Sequence, residues 1–245
     1  MKGVVLAGGL GTRFHPVTRV VNKHLLDVFD EPMVYYPIRS LAGAGIKEIV
    51  LVTGDELDQF KRLLGDGSEL GVSIEYAHQP DPQGGIADAL AKAETLARNR
   101  EIIVILGDNI FQEDLISHIQ SFRAQEKGAK ILLKRVSIDD AVRFGVADVK
   151  DGKILGIEEK PQAPKSDLIV TGCYMYDDRV FDLIQTLEPS DRGQLEVTDL
   201  NNIYIEEGTM TYDVLQGWWT DAGTPASKLK ASILVALEKG VHFHR

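Results

Sequence analysis

Three runs of the chain, Lys2-Gly3-Val4-Val5-Leu6-Ala7, Glu48-Ile49-Val50-Leu51-Val52 and Ile102-Ile103-Val104-Ile105-Leu106, are, past the charged first residue of the first two, apolar at consecutive rather than alternating positions. A strand of that kind needs cover on both faces, as in a sheet sandwiched between helices. Helical spacing fills the intervals, at residues 33–44, 55–64 and 86–97. This β–α alternation predicts an α/β fold whose sheet is mostly parallel. A further strand is expected at 72–77. The second half is richer in strands, at 131–136, 145–149, 153–158 and 169–175, with Asp151-Gly152 as a hairpin turn between two of them. A last helix spans 225–237, ending near Gly240. No repeat or linker interrupts the chain. The expectation is one domain over residues 1–245, in which the later strands form a smaller region closing one side of a cleft.

Bulk properties narrow the partners. The chain has 245 residues, 44% hydrophobic and 26% charged, enough for a full core. No apolar run approaches the roughly 18 residues that cross a bilayer. No basic-then-apolar leader precedes the first strand, so neither a membrane span nor a signal peptide is expected. The one cysteine, Cys173, excludes an internal disulfide and fits a cytoplasmic location. A net charge of −10 argues against nucleic acid as a partner, although small anions respond to local cations instead. His15, His24, His78 and His118 are scattered and His242 and His244 lie in a tail, so no zinc spacing appears.

After the first strand comes Gly8-Gly9-Leu10-Gly11-Thr12-Arg13. Glycines let backbone N–H groups approach phosphate oxygens, and Arg13 adds a cationic fork. Alone, such a loop is also a tight strand-to-helix turn. It is not the dinucleotide fingerprint, because Phe14 stands where a glycine is required, and no Gly-Lys-Ser/Thr makes it a Walker loop.

The continuation carries more. Gly11-Thr12-Arg13-Phe14-His15-Pro16 leads to Asn22-Lys23-His24-Leu25-Leu26 and then Glu31-Pro32-Met33-Val34-Tyr35-Tyr36-Pro37. Farther on stand Leu106-Gly107-Asp108-Asn109, Phe144-Gly145-Val146, Glu158-Glu159-Lys160-Pro161 and Val170-Thr171-Gly172. Arg192-Gly193-Gln194-Leu195-Glu196-Val197-Thr198-Asp199 and Trp218-Trp219-Thr220-Asp221-Ala222-Gly223-Thr224 complete the series. In these runs, and in their order, the chain resembles the sugar-1-phosphate nucleotidyltransferases. Within them it looks most like the branch that joins a thymidine nucleotide to glucose 1-phosphate.

That resemblance implies a Rossmann-like nucleotidyltransferase fold, Mg²⁺ as cofactor, and dTTP and a sugar 1-phosphate as substrates. It implies nucleotide binding by Gly8, Gly9, Gly11, Thr12, Arg13 and Asp108, with Gln79 on the base edge. Gly84 or Gly85 packs against the base, depending on a one-residue loop difference. Asp108 and Asp221 are implied as metal ligands. Asn109, Gly145, Glu159, Lys160, Val170 and Arg192 fall on the sugar-phosphate side, and Arg13, Lys23, Asp108 and Lys160 are implied as catalytic. As plain sequence, Asp108 serves equally as a helix N-cap, and Glu-Glu-Lys-Pro as a solvated turn. Three residues depart from the family pattern: Asp27 for proline, Phe144 for tyrosine and Gln194 for glutamate.

The implied reaction is attack by a sugar-phosphate oxygen on the α-phosphorus of the triphosphate. A phosphate monoester, with a second pKa of about 6, needs no general base at neutral pH. Repulsion is the obstacle, since two like charges about 4 Å apart cost roughly 4 kcal/mol at a dielectric near 20. Arg13, Lys23, Lys160, Arg192 and Mg²⁺ would offset it. Alternatives are a uridylyltransferase of the same family, a non-catalytic nucleotide-sugar regulator and, least in keeping with the loop, a nicotinamide oxidoreductase. Relatives of this type continue past the final helix to build a regulatory nucleotide site, so a short form lacking or reducing that site is expected. A homo-oligomer is the family arrangement.

Overall fold

The computed structural model describes residues 1–242; His244 lies outside the described residues. The strands are β1 Lys2–Ala7, β2 Asp27–Val28, β3 Glu31–Pro32, β4 Glu48–Thr53, β5 Ser73–His78, β6 Ile102–Leu106 and β7 Asn109–Phe111. They continue as β8 Ala129–Arg135, β9 Gly145–Lys150, β10 Lys153–Glu159, β11 Leu168–Tyr176, β12 Met210–Val214 and β13 Trp219–Asp221. The helices are α1 Tyr35–Gly43, α2 Leu57–Leu64, α3 Ile86–Ala91, α4 Glu94–Ala97 and α5 Ile116–Arg123. After them come α6 Ile138–Ala141, α7 Val180–Ile184, α8 Val197–Glu206 and α9 Pro225–Glu238.

Nine strands form the main sheet, in the order β10-β9-β11-β6-β1-β4-β5, with β8 and β12 joined through β11. Strands β6, β1, β4 and β5 are parallel, as is β12 on β8, and the pairings of β11 and the β9–β10 hairpin are antiparallel. The consecutive apolar runs have their reason here. Val5, Ala7, Ile49, Leu51, Ile103 and Ile105 pack on one face. Their neighbours Val4, Leu6, Val50, Val52, Ile102 and Val104 pack on the other. Each such side chain stabilises the fold by about 1.5–3 kcal/mol on burial.

Two expected helices differ in extent. The helix expected at 33–44 begins at Tyr35, because the amides of Met33 and Val34 donate to Leu26 and His24 rather than within the helix. The one expected at 86–97 is two, since Lys92 and Ala93 bond to carbonyls three residues back, tightening the chain between α3 and α4. The turn at Asp151-Gly152 does join β9 to β10, with both residues at positive φ.

The site follows from a fork in the sheet. Along one edge β11 pairs with β8. Its other edge is shared: Cys173–Tyr176 pair with β6, and Ile169 pairs with Val146 of β9. Where β6 ends and β9 begins, the sheet parts and a cleft opens. No helix among the described residues is long and apolar enough to cross a membrane.

Candidate active site

At the carboxyl end of β1 the chain turns through Gly8 and Gly9 into a short 3-10 turn, Thr12–Phe14. Gly11 sits at φ 62°, a left-handed conformation that suits glycine. Its carbonyl accepts from Thr18 Oγ1 at 2.7 Å, and Phe14 is buried beneath. The loop is thereby pinned, leaving Thr12 and Arg13 exposed, with Arg13 on the cleft wall.

Gln79, buried at the end of β5, lies behind this loop. A Cβ on Gly8 would stand 2.4 Å from Gln79 Oε1, so a larger residue there would displace the Gln79 amide. Gln79 Nε2 donates to Asp88 at 3.0 Å and to the Gly85 carbonyl at 3.4 Å. Gln79, Gly8, Gly84 and Gly85 therefore form one group beside the loop, outside the cleft lining. The amide hydrogens of Gln79 are engaged by protein acceptors, so two-handed pairing with a base requires Asp88 to yield.

Asp108 follows β6 and leads into β7, not a helix, so it is no N-cap. It is 8% exposed, accepts Lys23 Nζ at 2.5 Å and accepts Asn109 Nδ2 at 3.0 Å. Burial pushes its carboxyl upward, but the Lys23 ammonium wins and holds it well below the usual carboxylate range. His24, packed behind, is pushed down to about 3 by burial and by Lys23, and is neutral. Asp221 arrives from β13, whose register opposes it to Asn109. A Cβ on Gly223 would lie 2.5 Å from Asp221 Oδ1 and 3.2 Å from Asp108 Oδ2, so the two carboxylates meet across this glycine. Burial, then the charge of Asp108, raises Asp221 to about 6. No cluster of three or more His, Cys, Asp or Glu suited to a metal exists among the described residues. A pair of repelling carboxylates with no nitrogen or sulfur donor fits a hard cation that keeps water and phosphate oxygens as its other ligands.

Across the cleft, β10 ends at Glu159, and Lys160 follows at φ 47°, unusual for a residue with a side chain. Glu159 is ringed by Lys160 at 2.7 Å, Thr198 Oγ1 at 2.9 Å and Arg192 at 3.6 Å. Although burial raises its carboxyl, these partners bring it below the ordinary value. Gly145 lies under it, with Val170 and Asn109 on the same cleft of about 640 Å³. Arg192 stands outside that lining and bonds Glu196 at 2.9 Å.

Some of the site was not foreseen. Phe144 and Trp219 meet edge to face, ring centroids 5.5 Å apart, and form one wall. Asn109, expected as a sugar contact, is a hub within the protein: its Oδ1 accepts from Trp219 Nε1 at 2.7 Å and from the Gly172 amide at 2.9 Å. Thr198 and Trp219 stood within the quoted motifs but carried no signal of their own. Of the departures, Asp27 receives Lys228 of α9 through its carbonyl at 2.6 Å, and Gln194 accepts from the Ser190 amide through its backbone.

The family model described as nucleotidyl transferase matches residues 2–237. The chain belongs to that family. It is 45% identical, over 96% of its length and 82% of the relative's, to a glucose-1-phosphate thymidylyltransferase of Neisseria meningitidis. A crystal structure from Bacillus anthracis, assigned as a glucose-1-phosphate thymidylyltransferase and in complex with a sucrose, superposes with TM-score 0.91. That pair is 47% identical, covering 100% of this chain and 98% of the other. A UDP-glucose pyrophosphorylase complexed with UDP-glucose superposes at TM-score 0.84 with 22% identity, covering 97% and 98%, a likeness of fold alone. Membership of the family makes this protein a nucleotidyltransferase of mixed α/β fold.

Proposed function

We propose that the protein transfers dTMP from dTTP to glucose 1-phosphate, giving dTDP-glucose and pyrophosphate, with residues 1–245 acting as one domain. The observation that carries this is the two-ended cleft. Arg13 and Asp221 line one end, with the glycine loop and Asp108 next to them, and Glu159 and Lys160 line the other, with Arg192 beside Glu159 just outside the lining. The thymidylyltransferase relatives at 45% and 47% identity support the choice of base and sugar.

In this scheme Gly8, Gly9, Gly11, Thr12 and Arg13 receive the triphosphate, and Gln79 with Gly84 or Gly85 the base. Lys160 and Arg192 hold the sugar phosphate, while Glu159, with Gly145 and Val170, takes the sugar. An oxygen of the sugar phosphate attacks the α-phosphorus, and the bond to the β-phosphate breaks with its electron pair leaving on pyrophosphate. Arg13, Lys23 and Lys160 supply charge where the two anions meet, lowering a repulsion worth roughly 4 kcal/mol per close charge pair. Asp108 and Asp221 would hold Mg²⁺, which supplies further positive charge to the phosphate oxygens. Asn109 and Trp219 keep the walls in place.

The test is pyrophosphate release across pyrimidine and purine triphosphates, crossed with several sugar 1-phosphates. dTTP with glucose 1-phosphate should give the highest kcat/KM. Preference for UTP would replace the thymidylyl assignment, and no release with any pair would overturn the transferase reading.

A further inference from the structure

The turn leading into Asp221 is gripped from two sides by half-buried charges remote from the sugar end of the cleft. Lys134, on β8, aims its ammonium at three successive carbonyls: Leu215 at 3.1 Å, Gln216 at 3.3 Å and Gly217 at 2.7 Å. An ammonium has three donors, and all three are engaged here. Converging carbonyl dipoles repel one another unless a cation sits among them. The same turn is held by an anion through its amides. Glu113 Oε2 accepts from Gln216 at 2.9 Å and from Gly217 at 2.6 Å. Next along, Gln112 Oε1 accepts the Trp218 amide at 2.8 Å. Glu113 is itself fixed by His118 at 3.0 Å, whose other ring nitrogen meets Asp213 at 2.9 Å.

This turn runs directly into β13. The ribbon of β7 and β13 has three paired positions, Trp219↔Phe111, Thr220↔Ile110 and Asp221↔Asn109. So short a two-stranded ribbon does not hold its own register. At the far end the Ala222 amide donates to the Asp108 carbonyl at 2.8 Å. At the near end the anchoring falls to residues 215–217. We propose that Lys134 and Glu113 clamp this turn so that Asp221 and Trp219 reach the cleft in working register, which makes Lys134 a positioning residue for the transfer. The inference rests on the function proposed above for its kinetic consequence, and on the turn alone for its structural one.

The chain's two tryptophans, Trp218 and Trp219, follow the turn and report on it. In the full-length protein, Lys134→Met should lower kcat about 10–100-fold, the usual cost of losing a supporting group behind a metal ligand. KM for both substrates should stay within about threefold, as expected for a group that acts on the transition state. Without metal or substrate, its tryptophan emission should shift to the red and become more open to iodide quenching. Lys134→Arg keeps the charge but presents a planar fork instead of a tripod, and should recover part of the loss. A folded Lys134→Met protein with wild-type kcat and wild-type emission overturns the clamp. If Lys134→Met gives no cooperative melt, Glu113→Gln is judged by the same two readings, altered values supporting the clamp and unaltered ones refuting it. Should the wild type release no pyrophosphate with any substrate pair, the functional reading fails, and the emission measurement, which needs no substrate, still decides the clamp.

Discussion

The two ends of the cleft, each of which holds an anion in the proposed function, are built in different ways. At the carboxylate end the charges are largely buried, Lys23 being paired with Asp108 while Asp221 stands beside the pair. At the sugar end the cations are exposed and the contacts shared, half-buried Glu159 lying between Lys160 and Arg192, and Arg192 between Glu159 and Glu196. A buried pair loses little to solvent and is set before any ligand arrives, whereas exposed pairs are worth little and rearrange cheaply. The first end is preorganised. In the proposed function the second exchanges its internal partners for a phosphate and a sugar.

If that contrast is right, the largest effect belongs to the buried end. Asp108→Asn should cut turnover by about 10²–10³, in line with losing one preorganised electrostatic group. Pyrophosphate release by the purified, folded variant measures it, and a loss under tenfold would break the contrast. Glu159→Gln should act mainly on the acceptor, raising KM for the sugar phosphate about tenfold, with KM for dTTP little changed. A fall in kcat at unchanged KM would instead place the exposed end in the same preorganised class. The smallest effect concerns stability. Hydrogen bonding to Asp213, against the opposing pull of burial, and then to Glu113 raises the His118 pKa, and Lys130 pairs with the same Asp213 at 3.0 Å. A raised value means that the protonated imidazolium stabilises the fold, fully below the unfolded value of about 6.5 and progressively less as pH climbs through the folded one. His118→Asn should therefore cost about 1–2 kcal/mol near pH 6 and less near pH 9 by denaturant unfolding. A cost that does not vary with pH would show that the charge contributes nothing.

The same division governs what the sequence made legible. β1, β4 and β6 were readable because they are covered on both faces, which forces consecutive apolar residues. β7 and β13 were not, since three-residue strands carry no periodicity and exist only through each other. The break between α3 and α4 was hidden because Lys92-Ala93 has ordinary helical composition. At the site, Asp108, Lys160 and Asp221 stood in recognisable runs, but their working relations did not. The engagement of Gln79 by Asp88, the hub role of Asn109 and the Phe144–Trp219 wall are tertiary facts. Lys134, beside Arg135 at the end of a strand, looked like any surface lysine until three carbonyls were found around it.

The shared edge of β11 leaves the neighbouring hairpin with little backbone pairing to the rest of the sheet. The β9–β10 hairpin, with Gly145 and Glu159 paired at its open end, joins the β11 ladder through the single pairing of Ile169 with Val146. It is tied to α8 by Asn202, whose side-chain amide meets both polar backbone atoms of Ile157, at 2.9 and 3.0 Å. With so short a ladder, the hairpin is held chiefly by side-chain packing: Val146 is buried in the core on one face of the sheet, and Ala147, Ile154 and Ile157 in the core on the other. Gly145 and Glu159 thus owe their place on the cleft wall to the core beneath the hairpin more than to its backbone pairing.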